Sequence, residues 1–257
     1  MILKRKIYKK LLEWKNECQG KKALLIEGAR RIGKSTICEE FGKNEYESYL
    51  LIDFAKKDKE VEGYFEKYLN DLDTFFMLLQ THFGTKLTER NSLIIFDEVQ
   101  MFPQARAAIK YLVADGRYDY IETGSLISIR ENVKNIVIPS EERHINMYPL
   151  DFEEFAIALE EDLLVEYIKK CFEKREPLER SMHNQAMLLF HQYMLVGGMP
   201  MSVVTFIESK KDFTEADREK RDILKLYRED IMKIDAKYRS KVLAIYDQIP
   251  GFLSQHE

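Results

Sequence analysis

The residues most able to do chemistry lie in G-A-R-R-I-G-K-S-T, Gly28 to Thr36, where the spacing is Gly-x4-Gly-Lys-Ser. This is the spacing of a phosphate-binding loop. Its glycines let backbone N–H groups turn inward, its lysine reaches the β- and γ-phosphates, and its hydroxyl serves Mg²⁺. Gly28, Ala29, Arg30, Arg31, Ile32, Gly33, Lys34, Ser35 and Thr36 are therefore candidate nucleotide-binding residues. Such a loop must leave a buried strand and enter a helix, whose N-terminus adds partial positive charge. The apolar run A-L-L-I-E precedes it and a helical pattern follows. A plain glycine-punctuated turn would not need those flanks.

A second stretch, S-L-I-I-F-D-E-V-Q, supplies the other half of a site. Four apolar residues make a buried strand, and Asp97 and Glu98 fall at its carboxyl end, the edge at which open α/β sheets bind ligands. Two carboxylates there are costly unless a cation or water network uses them. With Ser35 as one Mg²⁺ ligand, Asp97 would orient the ion's hydration shell, and Glu98 is a candidate general base toward an attacking water. A solvated acidic loop is the competing reading. In Y-I-E-T-G-S-L, Thr123 or Ser125 could hydrogen-bond the γ-phosphate or the water; a turn needing Gly124 explains the same letters. Gln100 could report nucleotide state to the helix after Pro103. Arg30 and Arg31 face phosphates, an adjacent subunit or solvent. Asp53 either supports the magnesium shell or, the better use, caps the next helix.

These residues need a frame. Strands are expected at Ala23–Glu27, Tyr49–Phe54, Leu93–Phe96, Tyr120–Thr123 and Ile145–Tyr148, several as continuous apolar runs typical of strands buried on both faces. Segments such as Val61–Phe83 and Pro103–Asp115 are long enough for crossover helices. The pattern is α/β, a three-layer parallel sheet, followed after Asp151 by helical periodicity alone. The expected division is a core with its N-terminal helix at 1–160 and a helical region at 161–257. The basic start opens an amphipathic helix from Ile2 to Cys18, with Ile7, Leu11, Leu12 and Trp14 on one side; it packs on the core or, alternatively, lies on a membrane surface.

Composition removes several classes. The chain of 257 residues has a formal net charge of −4, so no global basic field points to nucleic acid, although a local basic groove is not excluded. No apolar run approaches the roughly 18 residues of a membrane span, and no secretory signal follows the basic start. Cys18, Cys38 and Cys171 lack metal-ligand spacing and read as reduced thiols of a cytoplasmic protein. Among the histidines only His144, beside Arg143, stands near a motif.

G-A-R-R-I-G-K-S-T, I-I-F-D-E-V-Q, I-E-T-G-S-L and M-Y-P-L-D-F-E-E-F, in that order, resemble a prokaryotic family of AAA-type P-loop ATPases with an uncharacterised C-terminal domain. The likeness continues into V-G-G-M-P and L-Y-R-E-D-I. It implies a RecA/AAA-like core with a helical lid, ATP and Mg²⁺ as ligands, and hydrolysis. The family commonly carries Gly-Arg before the Y-P-L segment. Here E-E-R-H keeps Arg143 without the glycine, so Arg143 is a candidate phosphate-facing or intersubunit arginine, against a surface ion pair. Family members generally continue beyond I-P-G-F-L-S, so the chain is expected to be shortened. The segment from Arg180 would begin as lid, and the part from Lys220 to Tyr246 as linkage, whose apolar surface favours self-association or a protein partner.

Four functions compete: an ATPase that converts its cycle into conformational change, a nucleotide-loaded switch or scaffold, a P-loop kinase, and a DNA-associated motor. Glu98 favours hydrolysis, because a switch needs no base and a kinase needs none aimed at water.

Overall fold

The computed structural model describes residues 1–125, 141–232 and 234–254. Two compact units divide it, Ile2–Ala158 and Leu159–Glu257. In the first, β1 (Ala23–Glu27), β2 (Ser48–Asp53), β3 (Ser92–Asp97), β4 (Asp119–Gly124) and β5 (Glu142–Asn146) form one sheet of order β2-β3-β4-β1-β5. Every pairing is parallel. β1 thus lies between β4 and β5, and β4 separates it from β3. The loop after β1 and the acidic pair after β3 therefore emerge at the same carboxyl edge, on either side of β4.

The helices of this unit are α1 (Ile7–Cys18), α2 (Lys34–Glu45), α3 (Lys59–Lys67), α4 (Leu72–Phe83), α5 (Pro103–Asp115) and α6 (Phe152–Ala158). On one sheet face Leu25, Leu50, Ile52, Ile94, Phe96 and Tyr120 join the buried side chains of α3, α4 and α5 in one cluster. Alternation sends Leu24, Ile26, Leu93, Ile95 and Ile121 to the other face, where they are equally buried. There α2 packs on β2, β3 and β4, with α1 against α2. This is the expected three-layer α/β arrangement. Each of these large apolar side chains contributes roughly 1.5–3 kcal/mol by leaving water.

α1 buries Ile7, Leu11, Trp14 and Cys18, one stripe at helical spacing, and Trp14 donates its indole N–H to the Lys22 carbonyl at 2.9 Å. Core packing therefore accounts for this helix, and residues before Ile7 lie outside it. Two further expectations shift. The crossover segment expected over Val61–Phe83 divides into two helices, because Asp71 accepts from the Thr74 N–H and starts α4 anew. The last strand is Glu142–Asn146, three residues earlier than its apolar letters suggest. As an edge strand it is buried only at Glu142 and partly or fully exposed beyond it, so its sequence is charged where inner strands are apolar.

The second unit is helical among its described residues: α7 (Asp162–Lys174), α8 (Arg180–Val196), α9 (Pro200–Glu208), α10 (Phe213–Ile231) and α11 (Ala236–Ser254). Leu189, Val196, Val203, Phe206, Ala216 and Ile223 form its interior, and the buried Ser202 donates to the Val196 carbonyl at 2.9 Å. The expected break at V-G-G-M-P is present: α8 ends at Val196, Gly197 adopts φ +79°, and Pro200 opens α9. α11 buries no residue at all.

Candidate functional site

Glu27 ends β1, and the chain then closes into the loop Gly28–Gly33. Gly28 is required by close approach: a Cβ there would collide with the Met147 carbonyl oxygen and with the Ile32 side chain. Gly33, at φ +89°, turns the chain into α2, a conformation that glycine adopts without strain. No side chain caps the start of α2, so its first-turn N–H groups remain available for an anion. Ala29, Arg30, Arg31 and Thr36 are exposed, whereas Ile32 anchors the loop in the interior.

Lys34 is buried, with Nζ donating to the carbonyls of Gly28 at 3.2 Å and Ala29 at 2.9 Å. Burial pulls its ammonium below the usual lysine range, while the carboxylates of Glu98 and Asp97 oppose that shift. Ser35 lies beside it with its hydroxyl 2.7–2.8 Å from both oxygens of Asp97. Asp97 is itself buried and also accepts the hydroxyl proton of Thr123. The Thr123 oxygen in turn accepts the backbone N–H of Glu98 at 3.3 Å. Three strand ends are thereby tied together, β1 through its loop, β3 through Asp97 and β4 through Thr123. Thr123 is fully buried on the acidic pair, while Ser125 lies half-buried just past β4.

Glu98 holds φ +53°, a left-handed backbone uncommon outside glycine, at the head of a short 3-10 turn, Val99–Met101. Its carboxylate accepts from the side-chain amide of Gln100. Asp53, at the end of β2, caps the following turn by accepting the Ala55 N–H at 3.0 Å, as the capping reading expected.

Two sequence candidates lie apart from this cluster. Arg143 sits in register with Leu24, toward the amino end of β1, and pairs with Glu17 of α1 at 2.7 Å on the surface. Within this chain it is a surface ion pair and faces no phosphate loop, because β5 begins at the opposite edge of the sheet. His144 lies between Glu27, at 3.4 Å, and Glu142, at 3.2 Å. Below it Glu142 binds Arg106 of α5 at 2.9 Å, both buried.

Sequence reasoning missed Arg5. Its guanidinium donates to the Ile32 carbonyl in the loop at 3.0 Å, to the Tyr148 carbonyl at 2.6 Å and to the buried Glu154 carboxylate at 3.2 Å. Glu154 further accepts the backbone N–H of Lys6 at 2.6 Å. One arginine thus braces the phosphate loop against the Y-P-L-D-F-E-E-F segment. The acidic pair within that motif was the available signal, but nothing in the sequence assigns it a partner about 150 positions away.

A Mg²⁺ ion is consistent with this donor set. Ser35 and Asp97 offer hard oxygen ligands already in contact. Among the described residues no cluster of three metal-ligating side chains exists. One or two protein oxygens completed by phosphate and water is how Mg²⁺ is usually held. No described helix is long and apolar enough to cross a membrane; only α8 and α9 together, bent by 118° at their junction, reach that length and composition.

The solved structure of C. elegans PCH-2 is similar at a TM-score of 0.42 and 12% identity, over 84% of this chain and 65% of that one. The chain thus spans about two thirds of that relative. No curated protein matches. A family model described as an AAA domain matches residues 20–156, more than half of the chain, including the loop and the acidic pair but not Arg5. The chain belongs to this AAA domain family.

Proposed function

We propose that the protein binds Mg·ATP at the carboxyl edge of its sheet and hydrolyses it, using the cycle to change conformation. One observation carries the reading: Ser35, Asp97, Thr123 and Glu98 are linked by hydrogen bonds beside the buried ammonium of Lys34. In this reading Lys34 releases the Gly28 and Ala29 carbonyls and turns to the β- and γ-phosphates. The free N–H groups at the start of α2 receive phosphate oxygens. Magnesium, held by Ser35 and through water by Asp97, would neutralise charge on the phosphates. Glu98 accepts the proton of the attacking water. Thr123 keeps the acidic pair in place, which leaves Ser125 as the hydroxyl nearer the open edge. Residues 159–257 would carry the lid and the output of the cycle.

The test uses calorimetry with Mg·ATP and steady-state phosphate release, each with and without DNA or RNA. Lys34→Ala should lose ATP affinity by about 10²-fold or more. Glu98→Gln should bind Mg·ATP within a few-fold of wild type and lose turnover by about 10²-fold. Wild type without turnover, unchanged by Glu98→Gln, would establish a nucleotide-loaded switch instead. Unchanged affinity in Lys34→Ala would remove the phosphate-loop assignment.

A further inference from the structure

Glu98 is the general base in the reading above, and the inference that follows rests on that reading. A base acts only if its carboxylate is aimed, and Glu98 sits on a backbone that does not aim it cheaply. Its φ of +53° belongs to a region that side-chain-bearing residues avoid, so the surroundings must hold it there. The backbone side of that restraint is the Glu98 N–H on Thr123. The side-chain side is Gln100, two residues on, whose amide donates to Oε2 of Glu98.

Gln100 is well placed to be rigid. It is buried, at 6% exposure, in the turn Val99–Met101, and Val99 beside it is fully buried in the core. Phe102, directly after the turn, stacks on Phe54 at 5.3 Å and meets Phe65 edge-on at 5.7 Å. Pro103 then starts α5. The amide is therefore carried by a packed aromatic cluster and not by a loose loop. The carboxylate it holds lies close enough to Lys34 to be the largest charge acting on that ammonium. The hydrogen bond on Oε2 fixes the rotation of the carboxylate and with it the direction of the other oxygen.

From this geometry we infer that Gln100 is the positioning residue of the hydrolytic reaction, holding one carboxylate oxygen of Glu98 so that the other faces the attacking water. Gln100 itself touches neither nucleotide nor water in this role. Its loss should therefore act on turnover and leave nucleotide binding alone.

The experiment compares Gln100→Met, close in volume but without the amide, with Gln100→Glu, which keeps shape and swaps the donor for an acceptor. Thermal melting first establishes that each is folded; if Gln100→Met is not, Gln100→Glu carries the test. Expected are a Kd for Mg·ATP within about three-fold of wild type and a fall in kcat of about 10- to 100-fold, the effect of a misaimed catalytic group. The decisive arm places the same substitution on Glu98→Gln. If Gln100 works only through Glu98, the double variant is no slower than Glu98→Gln. A further loss in the double variant, or a kcat near wild type in the single ones, overturns the inference. A Glu98→Gln variant that keeps full turnover would instead remove the general-base reading, so the two failures are separable.

Discussion

The two units of this protein place the same kinds of residue in opposite ways. In Ile2–Ala158, Leu24, Ile26, Ile95 and Phe96 are wholly inaccessible, and even Asp97, Thr123 and Lys34 are buried. In Leu159–Glu257, Leu163 is 80% exposed, Phe172 83% and Leu253 71%. The first unit has five strands locked in register. Only such a frame holds a lysine, two hydroxyls and two carboxylates at hydrogen-bond spacing. The second has helices of up to 19 residues around a small interior and leaves large apolar side chains on its surface. Fixed geometry resides in the sheet edge, and the exposed apolar side chains in the helical unit.

The contrast breaks most readily at Arg5. Its guanidinium and the Glu154 carboxylate are both more than nine-tenths buried, so removing one leaves the other charged and unpaired. Arg5→Ala should destabilise the first unit by about 3–5 kcal/mol. Urea unfolding followed by tryptophan fluorescence reads this well, since Trp14, the single tryptophan, reports that unit. Because Arg5 also holds the Ile32 carbonyl, ATP affinity should fall as well. A loss below about 1 kcal/mol would mean that the brace is dispensable and the loop is held by its glycines alone.

A second effect is pH-dependent. Glu122 of β4 is fully buried one residue before Thr123, with the charges of Glu142 and Arg106 acting on it. Burial, then the charge of Glu142, pushes its carboxyl well above the ordinary value of 4.5, while Arg106 opposes the shift. The folded protein keeps this proton to higher pH than the unfolded chain does. Its contribution is therefore fully present below about pH 4.5 and is lost as pH rises, by at most about 1.4 kcal/mol per pH unit for one proton. Glu122→Gln cannot lose that proton. Unfolding curves at pH 5, 6 and 7 should show wild type weakening relative to the variant as pH climbs; parallel curves would mean that Glu122 stays ionised with Arg106.

What was legible in the sequence follows the same division. β1, β3 and α5 were readable because fully buried strands are uninterrupted apolar runs and α5 is bounded by Pro103 and Gly116. The candidate residues Lys34 and Ser35 follow from fixed spacing, and Asp97 and Glu98 from their place at the end of an apolar run. β5 was misplaced because an edge strand need not look apolar, and Asp71 was a readable cap passed over inside a long helical pattern. Arg5 was invisible for a deeper reason: tertiary pairing leaves no local pattern. Arg143 looked functional for its place in a motif, yet register, which sequence does not give, carries it to Glu17.

The smallest expected effect concerns α11. Its ties to α10 include Arg228 to Asp247 at 2.9 Å and the Tyr246 hydroxyl on the Leu224 carbonyl at 3.2 Å, both exposed. Such contacts are worth about 1 kcal/mol or less each. Ile245, Ile249 and Phe252 recur at helical spacing and stand 64%, 46% and 57% exposed, a stripe without a covering surface among the described residues. Removing residues 236–254 should therefore shift the Tm of the remaining chain by no more than about 2 °C. ATP affinity should be unchanged, since every residue of the proposed site precedes Phe155. The stripe is also an apolar surface suited to pairing with a second copy, so sedimentation velocity should show less concentration-dependent association once it is gone. A Tm drop beyond about 5 °C would place α11 among the elements that hold the fold, and the contrast between the two units would then be one of degree.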